Sequence, residues 1–486
     1  MSWLSSCYAS FTRLKSRFIL NSIWGILANL LQNIFFSIFF IIVARNYNAT
    51  DFSSYILANT IYGLLLAFSS LGLGQWFVRR LLEDMDKEIL IHQFFKLQCL
   101  IGLIFYILII VVTFFLYDDH LLRQLALIIG INIIFDNIIY VIKHINIAQM
   151  DQKKTFLIQT VESFLKLMLG GFIILFPVSM VSLALIIITL RFLTLNVFIN
   201  FGTTFPISFS YLYKVKIDIK VIKDVISNNW PFIVIGSMSV LYWKMGNLFI
   251  ANYLTLNEVS HYEISFKLFS MAEVIPVIVS TSIFPVLLKK LKENRVDAMQ
   301  FYNKVFMSYA LYGLLSFTFI YSFSDQIVPF LFGSKYLITA KYCKEMFFTM
   351  LVFPTAILQA NLMIALHQEK IDMWLNVFSL MLNLIFSLVG LYFIKSITII
   401  NVSIFISFLF FHLLQDYILI KQQWLSAKAT WIFYFVIICI LAIYYTATLF
   451  LMPIISFSLI WLTIAGFVAY YLNTEFKRSI QVNLTR

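Results

Sequence analysis

Polar residues interrupt this chain only briefly. About fourteen apolar stretches, each near 20 residues, run from Phe18 to Leu472, and each is the length of helix that crosses a hydrocarbon core. Stretches such as Ile101 to Leu116 and Leu183 to Leu190 are apolar on every face, a pattern that suits helices surrounded by lipid or by other helices. The pattern predicts helices near 18–43, 54–77, 94–117, 121–142, 156–176, 179–201, 230–252, 259–287, 305–323, 346–366, 372–394, 398–418, 431–450 and 453–472. The expected fold class is therefore an all-α polytopic membrane protein.

The longest polar connector, 202–229, falls after six of these helices. An even number before the break gives the seventh helix the orientation of the first, so a duplication across it is a parallel repeat about an axis along the membrane normal. The hairpin Ala44-Arg-Asn-Tyr-Asn-Ala-Thr-Asp51-Phe-Ser53-Ser-Tyr55 aligns without a gap to Ala251-Asn-Tyr-Leu-Thr-Leu-Asn-Glu258-Val-Ser260-His-Tyr262. Short polar, aromatic-edged turns at membrane surfaces also resemble one another by chance. With the repeat, the chain divides into an N-terminal lobe (1–201), the connector (202–229), a C-terminal lobe (230–418) and a last part (419–486). That last part holds the two final helices, outside both lobes, and a tail. Pro231, Pro276, Pro285 and Pro354 are expected to bend or break helices of the second half.

Composition narrows the class further. Charged residues make up 12% against about 25% in soluble domains, which leaves too little polar sequence to coat a sizeable extramembrane domain. The net charge of +12 is explained by its distribution. With the N-terminus inside, most Lys and Arg lie on one side, among them Arg13, Lys15, Arg17, Arg79, Arg80, Lys153, Lys154, Lys214, Lys216, Lys289 and Lys290. Only Arg45, Arg123, Lys335, Lys341, Lys344 and Lys395 fall on the other. This bias places both termini in the cytoplasm and makes a nucleic-acid partner unnecessary. The first apolar run is longer than a signal-peptide core and is expected to be retained. The four cysteines and six histidines are dispersed, and no nucleotide-binding or hydrolase motif is present, so neither a metal nor an organic cofactor is expected.

The same residues carry a family resemblance. An apolar first helix studded with Asn leads into Ala44-Arg45 and Asp51-Phe-Ser-Ser-Tyr55, and the second helix ends in Leu71-Gly72-Leu73-Gly74. Asn229-Trp230-Pro231, Tyr242-Trp243-Lys244, Pro276, Pro285 and Leu331-Phe332-Gly333-Ser-Lys-Tyr336 follow in order. From about 17 to 475 the chain resembles the polysaccharide (O-antigen, Wzx-type) flippases. Their superfamily also holds multidrug exporters, oligosaccharidyl-lipid exporters and lipid II flippases. The resemblance implies two six-helix lobes and translocation of an undecaprenyl-diphosphate-linked oligosaccharide across the bacterial inner membrane. It also implies coupling to H+ or Na+, with a polysaccharide polymerase and a chain-length regulator as partners beside the lipid-linked oligosaccharide and membrane lipid. One departure is Gly246, where family members often carry an acid two positions after the cation of the seventh helix.

Ionisable residues deep in a membrane helix cost about 2.5–3.5 kcal/mol on insertion scales and so gather at bundle interiors or wet cavities. Arg191, about 16 Å from the inner end of its helix, and Lys244, about 12 Å from the outer end, are too deep to snorkel fully. Both have the chemistry for a diphosphate, with Asn29, Asn33 and Trp243 as candidate sugar contacts. Alternatively they serve as counter-ions of Asp136 or Glu273. Glu162 and Lys166, four apart, share a helical face, and either fix packing or take part in coupling. Glu273 has no helical partner and is the preferred ion-coupling site, with Asp136, Glu162 and Lys166 as further candidates. Lys96, Lys267 and Asp416 lie nearer helix ends and are read as snorkelling.

Two other functions compete. An ion-coupled exporter of small cationic molecules would favour carboxylates at the midplane, whereas this chain offers Lys and Arg there. A membrane-embedded polymerase or other enzyme would need large external loops or a His/Asp cluster. The longest external segment, 324–344, has no His. The expectation is a flippase and not an enzyme.

Overall fold

The structure, a computed structural model, describes residues 25–209, Leu212 and 237–467, apart from 26, 71, 84, 85, 206 and 208. Most of the connector, Asn229-Trp230-Pro231, Asn21 and the basic N-terminal cluster lie outside the described residues. Among the described residues there is no strand, and twelve helical spans are long and apolar enough to cross a membrane. The shorter helices 237–253 and Pro453–Phe467 complete the fourteen expected.

The helices of the N-terminal half are α1 (Leu27–Asn46), α2 (Ala49–Ser69), α3 (Leu73–Glu83), α4 (Lys87–Leu116), α5 (His120–Gly130), α6 (Asn132–Ala148), α7 (Gln152–Leu175) and α8 (Met180–Phe201). Those of the C-terminal half are α9 (237–253), α10 (Leu256–Glu293), α11 (Arg295–Phe332), α12 (Thr339–Met346), α13 (Phe353–Ala365), α14 (Glu369–Phe393) and α15 (Ile397–Lys421). Two more, α16 (Ala427–Phe450) and α17 (Pro453–Phe467), follow. The fold has two lobes: α2 and α4 pack on α5 and α6 in the first, and α10 packs on α12 and α13 with α14 on α15 in the second. The lobes meet along α2 and α10.

Several boundaries differ from the sequence reading, each for a local reason. The expected second helix, 54–77, begins earlier and is cut in two. Asn48 caps it by accepting the Asp51 amide at 2.7 Å, and Gly72, at φ +60°, turns the chain between α2 and α3. Gly74 permits the close approach that follows. Its amide donates to the Tyr140 hydroxyl at 2.7 Å, and a Cβ there would meet His144 at 2.0 Å. The helix expected at 346–366 is likewise divided. A 3₁₀ turn at Phe347–Leu351 separates α12 from α13, whose first turn holds Pro354.

Of the two outcomes expected at Pro276 and Pro285, a break does not occur; α10 runs on through both. The carbonyl of Ala272, which has lost its amide partner to Pro276, accepts the Tyr312 hydroxyl of α11 at 2.7 Å. The Tyr309 hydroxyl donates to the Pro276 carbonyl at 2.9 Å.

The aligned hairpins have a shared cause. Asp51 and Glu258 both occupy the third position after a helix cap. The Glu258 carboxylate accepts the Thr255 amide at 2.9 Å, while Asp51 takes the Asn48 side-chain amide at 2.9 Å. The paired residues Ser53 and Ser260 also touch, because the Ser260 amide donates to the Ser53 hydroxyl at 3.1 Å.

Candidate functional site

Two clusters of charge are embedded in the bundle, one per lobe. In the N-terminal lobe, α6, α7 and α8 bring together Asp136, Glu162, Lys166 and Arg191. The Arg191 guanidinium bridges both carboxylates, donating to Glu162 from one terminal nitrogen and to Asp136 from the other. The Tyr62 hydroxyl of α2 donates to the second Asp136 oxygen. Lys166 lies 2.7 Å from the second Glu162 oxygen. Two carboxylates and two cations are thus hydrogen-bonded together, with Arg191 about 15 Å of helix from the end of α8, and Lys143 of α6 adds a third cation whose charge reaches both carboxylates. The expected Glu162–Lys166 pair is present, and Asp136 is a counter-ion of Arg191. Arg191 and Lys166 each have a carboxylate partner in this arrangement.

The cluster in the C-terminal lobe is built on α9 and α10. Lys244 donates to Glu263 at 2.5 Å, so its partner is neither Asp136 nor Glu273. Asn247 donates to the other Glu263 oxygen at 2.7 Å and lies 2.9 Å from the Thr60 hydroxyl of α2, across the lobe boundary. One helical turn after Glu263, Lys267 is 9% exposed rather than snorkelling. Its ammonium lies 4.6 Å from the Phe36 ring centroid and 5.8 Å from that of Phe40, both on α1 of the opposite lobe. Two cations thus face one carboxylate where the lobes meet, leaving one positive charge in surplus. Glu273, two turns further on, has a buried carboxylate oxygen with no hydrogen-bond partner.

Contacts between the lobes run from the expected external side to mid-membrane. Ser53 donates to the Asn257 carbonyl at 3.2 Å, Asn252 to the Tyr117 hydroxyl at 3.0 Å, and Arg45 to the Phe330 carbonyl at 2.9 Å. Lys335, in the turn after α11, donates to the carbonyls of Arg45 and Tyr47. Partial burial in this turn holds its ammonium pKa below the usual lysine range. The Phe40 and Phe332 rings meet edge to face at 6.3 Å.

The uncharged candidates divide. Asn29 and Asn33 lie on an exposed face of α1, with the Asn33 amide donating to the Asn29 carbonyl at 2.9 Å. Trp243 is instead buried among Phe266, Phe269, Phe353 and Phe408, so its faces are covered by rings of its own lobe. Sequence reasoning missed Glu263 because it lies near the expected outer end of its helix, where depth gave it no weight. Its spacing of four from Lys267 was the available signal. Asp416, expected to snorkel, is buried between helices. Among the described residues no group of His, Cys, Asp and Glu could hold a metal ion.

The fold has known counterparts. The lipid II flippase MurJ in an inward closed conformation is similar with a TM-score of 0.69 at 15% identity, covering 93% of this chain and 99% of that one. An inward-facing multidrug resistance MATE family transporter of the MOP superfamily gives 0.66 at 14% identity, covering 82% and 96%. An outward-facing structure of that kind gives 0.57 at 14% identity, covering 82% and 94%. No curated protein sequence matches. Residues 42–341, more than half of the chain, match the family described as polysaccharide biosynthesis protein, and the chain belongs to that family.

Proposed function

We propose that this protein flips an undecaprenyl-diphosphate-linked oligosaccharide from the cytoplasmic to the outer leaflet of the bacterial inner membrane. It does so by alternating access of its two lobes, driven by an ion gradient. The observation that carries this reading is the surplus cation at the lobe boundary. A buried ammonium with aromatic neighbours and no carboxylate of its own attracts a diphosphate strongly in a low-dielectric site. Lys267 is therefore the first head-group contact. Lys244 joins it when the phosphate competes with Glu263. Asn29 and Asn33 offer amides to the sugars, Arg191 and Trp243 serve as a second cation and a stacking face only if the lobes rearrange, and no bond is made or broken.

The contacts on the expected external side support an inward state, in line with the higher TM-score of the inward-facing than of the outward-facing multidrug transporter. Glu273 is the coupling site, because its unpartnered oxygen is stable when protonated and costly when charged. Asp136, Glu162 and Lys166 form a second place where a coupling ion can act. The product in the outer leaflet would pass to a polysaccharide polymerase and a chain-length regulator, as in O-antigen assembly.

Deleting the gene and complementing it tests the proposal. Surface polysaccharide should vanish while its lipid-linked precursor accumulates inside, and the wild-type gene should restore it. Unchanged polysaccharide with raised sensitivity to organic cations would favour a drug exporter instead.

A further inference from the structure

On the side expected to face outward, the lobes exchange cations. Arg45, in the last turn of α1, donates its guanidinium to the Phe330 carbonyl in the last turn of α11 at 2.9 Å. Lys335, in the turn after α11, donates its ammonium back to the carbonyl of Arg45 at 3.2 Å and to that of Tyr47, just past the end of α1. Each lobe thus places a cation on the helix end of the other. The last carbonyls of a helix have no partners within it and carry its negative pole, so a cation suits each end.

These two cations differ from their neighbours. On the same side Arg123 pairs with Asp118, Lys344 with Asp325 and Lys341 with Glu345. The other acids there are engaged locally: Asp51 by the Asn48 amide, Asp119 by Ser54 and the Leu122 backbone, and Glu258 by Thr255. Among the described residues, Arg45 and Lys335 donate to neutral carbonyls and form no ion pair with a carboxylate. Both residues are exposed. Their contacts cross the lobe boundary, so these contacts break when the lobes part on this side. The freed cations then have no carboxylate of their own to turn to. A ligand that binds the freed cations better than the latched ones shifts the lobes toward the outer-open state. Charge-assisted hydrogen bonds to an anion are roughly twice as strong as bonds between neutral groups, and a diphosphate has oxygens for a guanidinium fork and an ammonium together.

We propose that Arg45 and Lys335 form an outer latch that a diphosphate group opens by taking both cations from the helix ends. Closed, the latch ties α1 to α11. Open, the same two side chains are an exit site for the diphosphate, separate from Lys267 and Lys244. The inference rests on the flippase reading for the source of that group and extends it to the release step. The latch itself needs only that the lobes part on the outer side.

Spin labels at the exposed positions Thr50→Cys and Ile338→Cys, with the four native cysteines replaced, report outer opening of the full-length protein in nanodiscs. Without ligand, the double variant Arg45→Gln, Lys335→Gln should raise the ratio of long to short distances about tenfold or more, because hydrogen bonds from charged groups are lost on both helix ends. Inorganic pyrophosphate should enlarge the long-distance population of the wild type at matched ionic strength and leave that of the double variant unchanged. The exchange Arg45→Lys, Lys335→Arg should keep the response, which a mere packing role does not require, and so should Arg123→Gln, which removes an outer cation that has its own carboxylate. Undecaprenyl diphosphate in the nanodisc lipid separates the sources. A response to it supports release of a lipid-linked head group, and a response to inorganic pyrophosphate alone supports a soluble oxyanion. A double glutamine variant that stays closed, or that opens with pyrophosphate as the wild type does, would overturn the proposal. So would a wild type that neither form of diphosphate moves. Because no transport is measured, failure here is distinct from failure of the flippase reading.

Discussion

The two lobes hold embedded carboxylates differently. In the N-terminal lobe Arg191 is shared by Asp136 and Glu162 and Lys166 also pairs with Glu162, so both carboxylates are held in direct ion pairs, with Lys143 a further cation nearby. In the C-terminal lobe one carboxylate, Glu263, faces both Lys244 and Lys267, and Lys267 rests on aromatic rings of the other lobe. A matched cluster holds helices together and is lost with the fold. An unmatched cation at a moving boundary raises the energy of the empty protein and lowers it when an anion arrives. On the function proposed above, the difference separates a structural use of buried charge from a ligand-binding one.

The largest effect should come from breaking the matched network. Arg191→Ala leaves two carboxylates buried without their bridge, and removing one partner of a buried pair costs about 3–5 kcal/mol. Detergent-solubilised protein should melt at lower temperature and its amount in the membrane should fall. The triple variant Arg191→Ala, Asp136→Asn, Glu162→Gln should recover much of both. If Arg191→Ala instead accumulates at wild-type level and melts normally while surface polysaccharide disappears, Arg191 is the diphosphate ligand and the contrast between lobes fails.

Lys267 should behave the other way. Lys267→Met keeps the stem over Phe36 and Phe40 but removes the charge. Transport should drop tenfold or more with normal protein level, because a hydrogen bond to a charged group is worth about 1.5–3 kcal/mol. Lys267→Arg should retain most activity. A variant that loses protein and activity in parallel would move Lys267 into the structural class.

Much of the fold was legible because lipid imposes one rule on every span. A helix must be apolar for about 20 residues, so number, order and approximate place follow from hydropathy. What escaped was local. The break at Gly72 and the 3₁₀ turn before Pro354 interrupt runs that stay apolar throughout, and hydropathy is blind to backbone direction. The site was half legible. Depth alone picked out Arg191, Lys244 and Glu273, yet it could not say who pairs with whom, because Arg191 and its carboxylates are 29 and 55 residues apart. It also misplaced Lys267 and Asp416. Closeness to a helix end permits snorkelling only where water, not another helix, waits there.

A double-mutant cycle on Lys244 and Glu263 probes the boundary between the two classes. Lys244→Met should destabilise by leaving Glu263 with the Asn247 hydrogen bond and the more distant charge of Lys267. Adding Glu263→Gln should restore stability, with a coupling of about 0.5–3 kcal/mol typical of touching residues. Transport should stay impaired in the double variant if Lys244 also meets the phosphate. Full transport there would confine Lys244 to the structural role and leave Lys267 as the head-group cation.

The smallest effect concerns the closed outer side, where the aligned hairpins meet. Ser53 accepts the Ser260 amide and donates to the Asn257 carbonyl, so one hydroxyl makes two hydrogen bonds from the first hairpin to the second. Ser53→Ala removes both, whereas Ser260→Ala keeps the amide that Ser53 accepts and gives up only a bond within α10 to the Asn257 carbonyl at 2.8 Å. Each hydrogen bond removed is worth about 0.5–1.5 kcal/mol, a shift of roughly two- to tenfold in the balance between outer-closed and outer-open states. Spin labels at Asn46→Cys and Lys341→Cys, with the four native cysteines replaced, report that balance as a distance distribution. Ser53→Ala should enlarge the long-distance population and Ser260→Ala should leave it near wild type. Equal responses from the two serines would mean that the hairpins are held by their caps alone, and that the hydrogen bond between equivalent residues has no part in closing the outer side.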